Sequence, residues 1–399
     1  MDEKLVLLIL LRYNLKKIKI GKYMTPAENI VENVCKIKKD ERVLIIANPE
    51  TNDIAQDLYL ACNKLNAKPV LIFQNSKTSF ENAEIEVIEA IKTNPDVCFS
   101  VSAVKLGKDK EATANPYKDE NGETYNHIFD YLLSGKKSMR AVWTPGITTD
   151  MFNRTVNIDY CELANRCSKL GECFENVQSI HVKAEGGTDV FIPVKGRKLL
   201  NDDGDFSKPG SGGNIPAGEV FISPVVGCGN GSDKVPEENY ACADGTSGVI
   251  VFDGSMTFSD GDSILETPIK CVVEKGFVVD ISGGQEAARL KKTVSEAEKR
   301  ALELEKQGKL PEGMGKIYKR NARNIGELGI GLNPAARITG NMLEDEKAFT
   351  TCHFAIGENY DNDAPSLIHL DGVVRNPTIV LYYEDGSAKK IMEKGQLLI

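Results

Sequence analysis

Two of the four histidines in this 399-residue chain, His353 and His369, lie 16 residues apart near the C-terminal end, each with carboxylates close by. His369-Leu-Asp371 has a period-two spacing, which on a β-strand turns both side chains to one face and lets them converge on one ion. Upstream, Glu327 is the one acid in the apolar, Gly-rich run Asn324-Ile-Gly-Glu-Leu-Gly-Ile-Gly-Leu-Asn333. A carboxylate buried in such a setting needs a cation or a metal beside it. Glu219, in Asn214-Ile-Pro-Ala-Gly-Glu-Val-Phe-Ile-Ser-Pro224, repeats the arrangement of a Gly-ended turn, an acid and a strand. Mixed imidazole and carboxylate ligation suits Zn²⁺, Co²⁺, Mn²⁺ or Fe²⁺ and disfavours Ca²⁺, which takes oxygen ligands.

The other candidates for chemistry read as structural. His127 and His181 sit in segments of core pattern. Cys352 precedes His353, and neighbours on a strand face opposite ways, so a Cys-His nucleophile is not expected there. Gly227-Cys-Gly-Asn-Gly231 lacks the third glycine of a nucleotide-binding loop and reads as a turn.

These residues need a scaffold, and its pattern changes along the chain. Thr25-Pro26-Ala27-Glu28 is a capping box with proline at the first helical position, predicting a helix to about Lys38. Arg42–Ala47 and Val70–Phe73 are continuous apolar runs separated by the helical period Ile54, Leu58, Ala61, Leu65. Such strands belong to a parallel sheet covered on both faces. Farther on, 179–184, 189–194, 248–252 and 270–274 follow one another between Gly- and Asp-rich turns, as in an antiparallel sheet. The stretch from about Glu286 to Gln307 is an amphipathic helix packed through Leu290, Val294, Ala297, Ala301 and Leu304. The expectation is an α/β plus α+β chain: a Rossmann-like parallel-sheet domain over 1–175, then a β-rich metal-binding domain over 176–399 with a helical insertion near 284–325.

A formal net charge of −9 and a pI near 5.3 argue against a nucleic-acid partner, because phosphate neutralisation needs clustered Lys and Arg. The apolar run Leu5–Leu11 is too short for a membrane span and lacks a signal-peptide cleavage site. Met24 opens a better helix start, so residues 1–23 read equally as an upstream extension. Ten dispersed cysteines with no Cys-x-x-Cys pair read as reduced thiols and point to a cytoplasmic protein.

Pro-Ala-Gly-Glu219-Val-Phe, Ile-Gly-Glu327, His353-Phe-Ala-Ile-Gly-Glu-Asn-Tyr360 and His369-x-Asp371, in that order, resemble the M29 family of metallo-aminopeptidases of the thermophilic aminopeptidase T type. Pro145–Arg154, Gly187-Thr-Asp189 and Gly196-Arg197 resemble its shorter, leucyl-aminopeptidase-like branch, so the likeness spans about 95–399. The resemblance implies two divalent ions (Zn, Co or Mn) held by Glu219, Glu327, His353, His369 and Asp371, one of the glutamates bridging. It also implies Tyr360 as donor to a developing oxyanion, Glu346 as proton shuttle, a peptide with a free N-terminus as substrate, and a homodimer.

The sequence departs from that type in three places. The interval from Glu219 to Glu327 is long, the one from His353 to His369 is short, and Asp345-Glu-Lys347 stands where the thermophilic type has Asp-Glu-Asn. His353, His369 and Asp371 alone would also make a two-His, one-carboxylate set for mononuclear non-haem Fe(II), as in a ring-cleaving dioxygenase of the 2,5-dihydroxypyridine type. Retention of both Glu219 and Glu327 argues for the hydrolase.

Overall fold

The computed structural model describes residues 24–78, 81–227 and 245–399. The apolar run Leu5–Leu11 lies outside them, as do residues 228–231 of the Gly-rich motif.

The capping box forms as expected. Thr25 Oγ1 accepts from Glu28 N and Glu28 accepts from Thr25 N, starting the helix Pro26–Asn29. A π-helical turn, Ile30–Val34, continues it and ends at Cys35, short of Lys38, because Lys36 takes a left-handed conformation at φ 48°.

Five strands then build a parallel sheet: β1 (Arg42–Ala47), β2 (Lys68–Phe73), β3 (Val97–Val101), β6 (Arg140–Trp143) and β10 (Gly212–Asn214), in the order β10-β6-β3-β1-β2. A two-stranded hairpin, β4 (Tyr117–Lys118) with β5 (Thr124–Tyr125), lies outside it. The apolar run of β1 is unbroken because both of its faces are buried. Val43, Ile45 and Ala47 pack on one side with Ile54 and Leu58 of the helix Asn52–Lys64. Leu44 and Ile46 pack on the other side with Val87, Ile88 and Ile91 of the helix Ile85–Lys92.

Two antiparallel sheets make up the rest. One contains β7 (Val177–Lys183), β8 (Asp189–Pro193), β12 (Ser247–Phe252), β15 (Ile269–Glu274), β16 (Phe277–Ser282), β20 (Thr378–Tyr383), β21 (Ala388–Glu393) and β22 (Gln396–Leu397), in the order β16-β15-β12-β8-β7-β20-β21-β22. The other contains β9 (Leu200–Asp202), β11 (Glu219–Ile222), β13 (Ser255–Phe258), β14 (Gly261–Ile264), β17 (Ile325–Gly331), β18 (Thr351–Gly357) and β19 (His369–Arg375), in the order β14-β13-β19-β18-β17-β11-β9. The helix Gln285–Lys306 buries Leu290, Val294, Ala297 and Ala301, as its period requires, and packs against Met314–Asn321. No helix among the described residues is long and apolar enough to cross a membrane.

Candidate metal centre

The five donor residues come from four adjacent strands, β11, β17, β18 and β19, and register puts them on one face. Across the ladders Glu219 pairs with Gly331, Gly329 with His353, Glu327 with Ala355, Ala355 with Asp371, and Gly357 with His369. Directly opposed residues share a face, and so do residues two apart on a strand. Glu219, Glu327, His353, His369 and Asp371 therefore all project from the same side. Gly329, Gly331, Ala355 and Gly357 share that side and leave the volume the donors occupy. Cys352 points the other way, is fully buried, and burial pushes its thiol up, away from the reactive thiolate.

Glu327 holds the cluster together. Its Oε1 lies 3.1 Å from His353 Nε2 and its Oε2 lies 3.2 Å from His369 Nε2. His353 Nε2 is also 3.4 Å from Glu219 Oε2, and His369 Nε2 is 3.4 Å from Asp371 Oδ1. Two donor triads result, Glu219–Glu327–His353 and Glu327–His369–Asp371, with Glu327 common to both. His369 Nδ1 donates to the Glu358 carbonyl at 2.9 Å, which orients the ring and keeps Nε2 toward the carboxylates.

The donor set fits divalent cations. Glu219 Oε2 and Asp371 Oδ1 are buried with no hydrogen-bond partner, a costly condition that an added cation relieves. The protonation preferences agree. Burial works to lower the His353 pKa, yet the hydrogen bond to Glu327 and the charges of Glu219, Glu327 and Asp371 outweigh it and raise the imidazole to about 9. His369 is likewise raised well above its ordinary value, Asp371 overriding burial. Burial would raise Glu327, but the two imidazoles bring its carboxyl down to about 2. Protons on the histidines thus supply the positive charge that metal ions would bring.

Behind Glu219 lies a feature the sequence did not reveal. Lys347, 0% exposed, donates to Glu219 Oε1 at 2.9 Å and to Glu346 Oε1. Burial pushes the Glu346 carboxyl up to about 8, Lys347 opposing and Glu219 reinforcing the shift. Asp202, paired with Glu219 across β9 and β11, is raised well above the carboxylate range, first by burial. The Lys347 ammonium stays charged because Glu219, Glu346 and Asp202 outweigh its desolvation. A segment tied to distant elements carries the Glu346-Lys347 pair. Asn333 N donates to the Lys347 carbonyl (2.9 Å), and Asn333 Nδ2 donates to the carbonyls of Thr155 and Ala217. Arg154 grips both carboxylate oxygens of Glu344.

Tyr360 stands at the rim, 52% exposed, its ring edge-on to His369 (5.3 Å between centroids) and tilted on Phe221 at 4.8 Å. Its N–H donates to Ser223 Oγ, and Arg197 holds the same loop through Asp361 and Asp363. The other two histidines lie outside the cluster. His127 caps a short helix by accepting from Phe129 N, and His181 pairs with Asp189 and stacks on Phe191.

The chain superimposes on the 2,5-dihydroxypyridine dioxygenase of Pseudomonas putida KT2440 with a TM-score of 0.63 at 16% identity, covering 94% of this chain and 96% of that one. It superimposes on wild-type AmpT of Thermus thermophilus with a TM-score of 0.60 at 14% identity, covering 94% and 98%. At these identities both likenesses bear on the fold alone. No curated protein matches the sequence. Residues 148–398, well over half of the chain and all five donors among them, match one family, and the protein belongs to it: the family described as NicX, 2,5-dihydroxypyridine 5,6-dioxygenase.

Proposed function

We propose that this protein is a metal-dependent aminopeptidase that removes N-terminal residues from peptides, and that Glu219, Glu327, His353, His369 and Asp371 would hold two divalent ions, Glu327 serving both donor triads. The observation that carries the reading is the membership of Glu327 in two donor triads, one oxygen toward each histidine. Divalent ions held there, zinc, cobalt or manganese by donor chemistry, supply Lewis acidity toward water and a peptide carbonyl and an anchor for a free amine. The chain's own groups do the rest. Glu346, as a carboxylate, takes the proton from the attacking water and returns it to the departing amine, a role supported by its place beside the donor cluster, where Lys347 pairs with both it and Glu219. Lys347 keeps Glu219 and Glu346 at fixed positions by pairing with both. Tyr360, half exposed beside His369, offers its hydroxyl to the oxygen on which charge develops.

A second reading, a mononuclear Fe(II) ring-cleaving dioxygenase, draws support from the family match. The first reading is preferred because each of the two donor triads joins one imidazole to two carboxylates, with Glu327 in both. The test is to strip the protein, reload it with Zn²⁺, Co²⁺, Mn²⁺ or Fe²⁺, count ions per chain, and assay both a peptide panel and 2,5-dihydroxypyridine. Two ions per chain with amino-acid release is the expected result. One iron per chain with oxygen uptake and no peptide cleavage would overturn the proposal.

A further inference from the structure

A cavity of about 320 Å³ opens outside the carboxyl ends of β3 and β6, in the parallel-sheet part of the molecule. Open α/β sheets bind ligands at the carboxyl ends of their strands, where the strand order reverses. Here the order reverses between β1 and β3, and protein hydrogen bonds seal that crevice. Asn48 Nδ2 donates to the Gln74 carbonyl at 2.9 Å, Asn48 Oδ1 accepts from Ala103 N at 2.7 Å, and Thr51 Oγ1 donates to the Val101 carbonyl. The open space is displaced by one strand.

Its lining combines four chemistries. Trp143 and Phe129 meet edge to face, centroids 6.1 Å apart, and form an aromatic wall. Ser100 and Ser102, both buried, share one hydrogen bond of 3.0 Å between their hydroxyls. That bond uses one of the two hydroxyl protons, so the second is available to a ligand. Lys105 and Asp130 are exposed members of the same lining, which also holds Lys108 and the His127 imidazole, whose charge interacts with that of Asp130. The volume sits at the small end of the ~300–1,000 Å³ range of ligand sites, enough for one ring and its substituents.

An aromatic wall with the Lys105 ammonium, the Asp130 carboxylate and a spare hydroxyl donor complements a small aromatic zwitterion. We propose that this cavity binds a free aromatic α-amino acid, its carboxylate toward Lys105 and its ammonium toward Asp130, with the ring against Trp143 and Phe129. The claim concerns binding at a site separate from the metal centre and stands whether or not the aminopeptidase reading does.

Trp143 is the one tryptophan of the chain, so its fluorescence reports on this cavity directly. The full-length, metal-free protein is titrated with L-phenylalanine, N-acetyl-L-phenylalanine (no ammonium), L-phenylalaninamide (no carboxylate) and L-leucine (no ring). The expected result is a saturable change with L-phenylalanine and affinity weaker by about tenfold or more for each of the other three, the worth of one charge-assisted hydrogen bond for the first two and of the ring's contact with the aromatic wall for L-leucine. Asp130→Asn should remove the discrimination against N-acetyl-L-phenylalanine, and Lys105→Ala that against the amide; both positions are exposed, so folding is not at stake. No saturable change up to the solubility of L-phenylalanine, equal affinity for all four compounds, or discrimination untouched by both substitutions would overturn the proposal.

Discussion

Gly329 and His353 face each other across the β17–β18 ladder, and the imidazole lies over the glycine: a Cβ at position 329 would fall 2.0 Å from His353 Nε2. The glycine is there for space rather than for backbone freedom. Gly329→Ala should push the ring out of the Glu219–Glu327–His353 triad while the ladder persists. Metal affinity, and with it the proposed activity, is expected to drop by about 10–100-fold, the usual cost of misorienting a ligand. Metal analysis beside far-UV circular dichroism checks this; full metal content in a folded variant would refute it.

Lys347 is fully buried between Glu219 and Glu346, with Asp202 close by. Removing one partner of a buried ion pair leaves the other uncompensated, a loss of about 3–5 kcal/mol. Lys347→Met is therefore expected to lower the denaturation midpoint markedly although it replaces a charge with an apolar group. The double variant Lys347→Met, Glu346→Gln should recover part of the loss. Additive destabilisation in that pair would remove the coupling argued here.

The metal-free protein should lose thermal stability between pH 6.5 and about 9. His353 is raised from 6.5 to about 9, so its contribution is present below 6.5 and is lost as pH rises through the folded value. His369 shifts in the same direction, and Glu346, raised from 4.5 to about 8 mainly by burial, adds to the trend. Bound metal competes with the imidazole protons, so the stabilisation by metal should grow over the same window. Calorimetric scans with chelator and with metal measure both; a metal-free midpoint that rises with pH contradicts the assignment.

Arg154 links the helix Thr149–Thr155 to the segment carrying Glu346, donating to both oxygens of Glu344 and to the Ala335 carbonyl at 2.8 Å. Arg154→Ala should destabilise by about 3–5 kcal/mol and lower kcat with metal content unchanged. Arg154→Lys should rescue little, since one ammonium cannot replace a bidentate fork. An unchanged kcat in a folded Arg154→Ala protein would show that the segment does not need this anchor.

Some of this arrangement was legible in the sequence. The period-two rule for His369 and Asp371, the lone acid Glu327 in an apolar run and the repeated setting of Glu219 are local signals, and strand register turned them into one face. Lys347 was not legible. Glu344-Asp-Glu-Lys347 has the composition of a solvated turn, yet Glu344, Asp345 and Lys347 are all buried. Arg154, the partner of Glu344, and Glu219, a partner of Lys347, lie more than a hundred residues upstream, and no local pattern encodes such pairings. Gly212–Asn214 was hidden for a different reason: Gly-Gly-Asn has no strand propensity, and the backbone joins β6 only because Gly212 fits against the Ala141 carbonyl, where a Cβ would lie 2.5 Å away.

That last strand also bears on how the protein is made. Ribosomes release a chain from its N-terminal end, and the parallel sheet's fifth strand, Gly212–Asn214, is synthesised after β7, β8 and β9 of the other two sheets. Until it emerges, β6 presents a bare edge able to pair with a neighbouring nascent chain. The first sheet is therefore completed by a segment translated after the second and third have begun, which ties the order of folding of the N-terminal part to the part that carries the metal ligands.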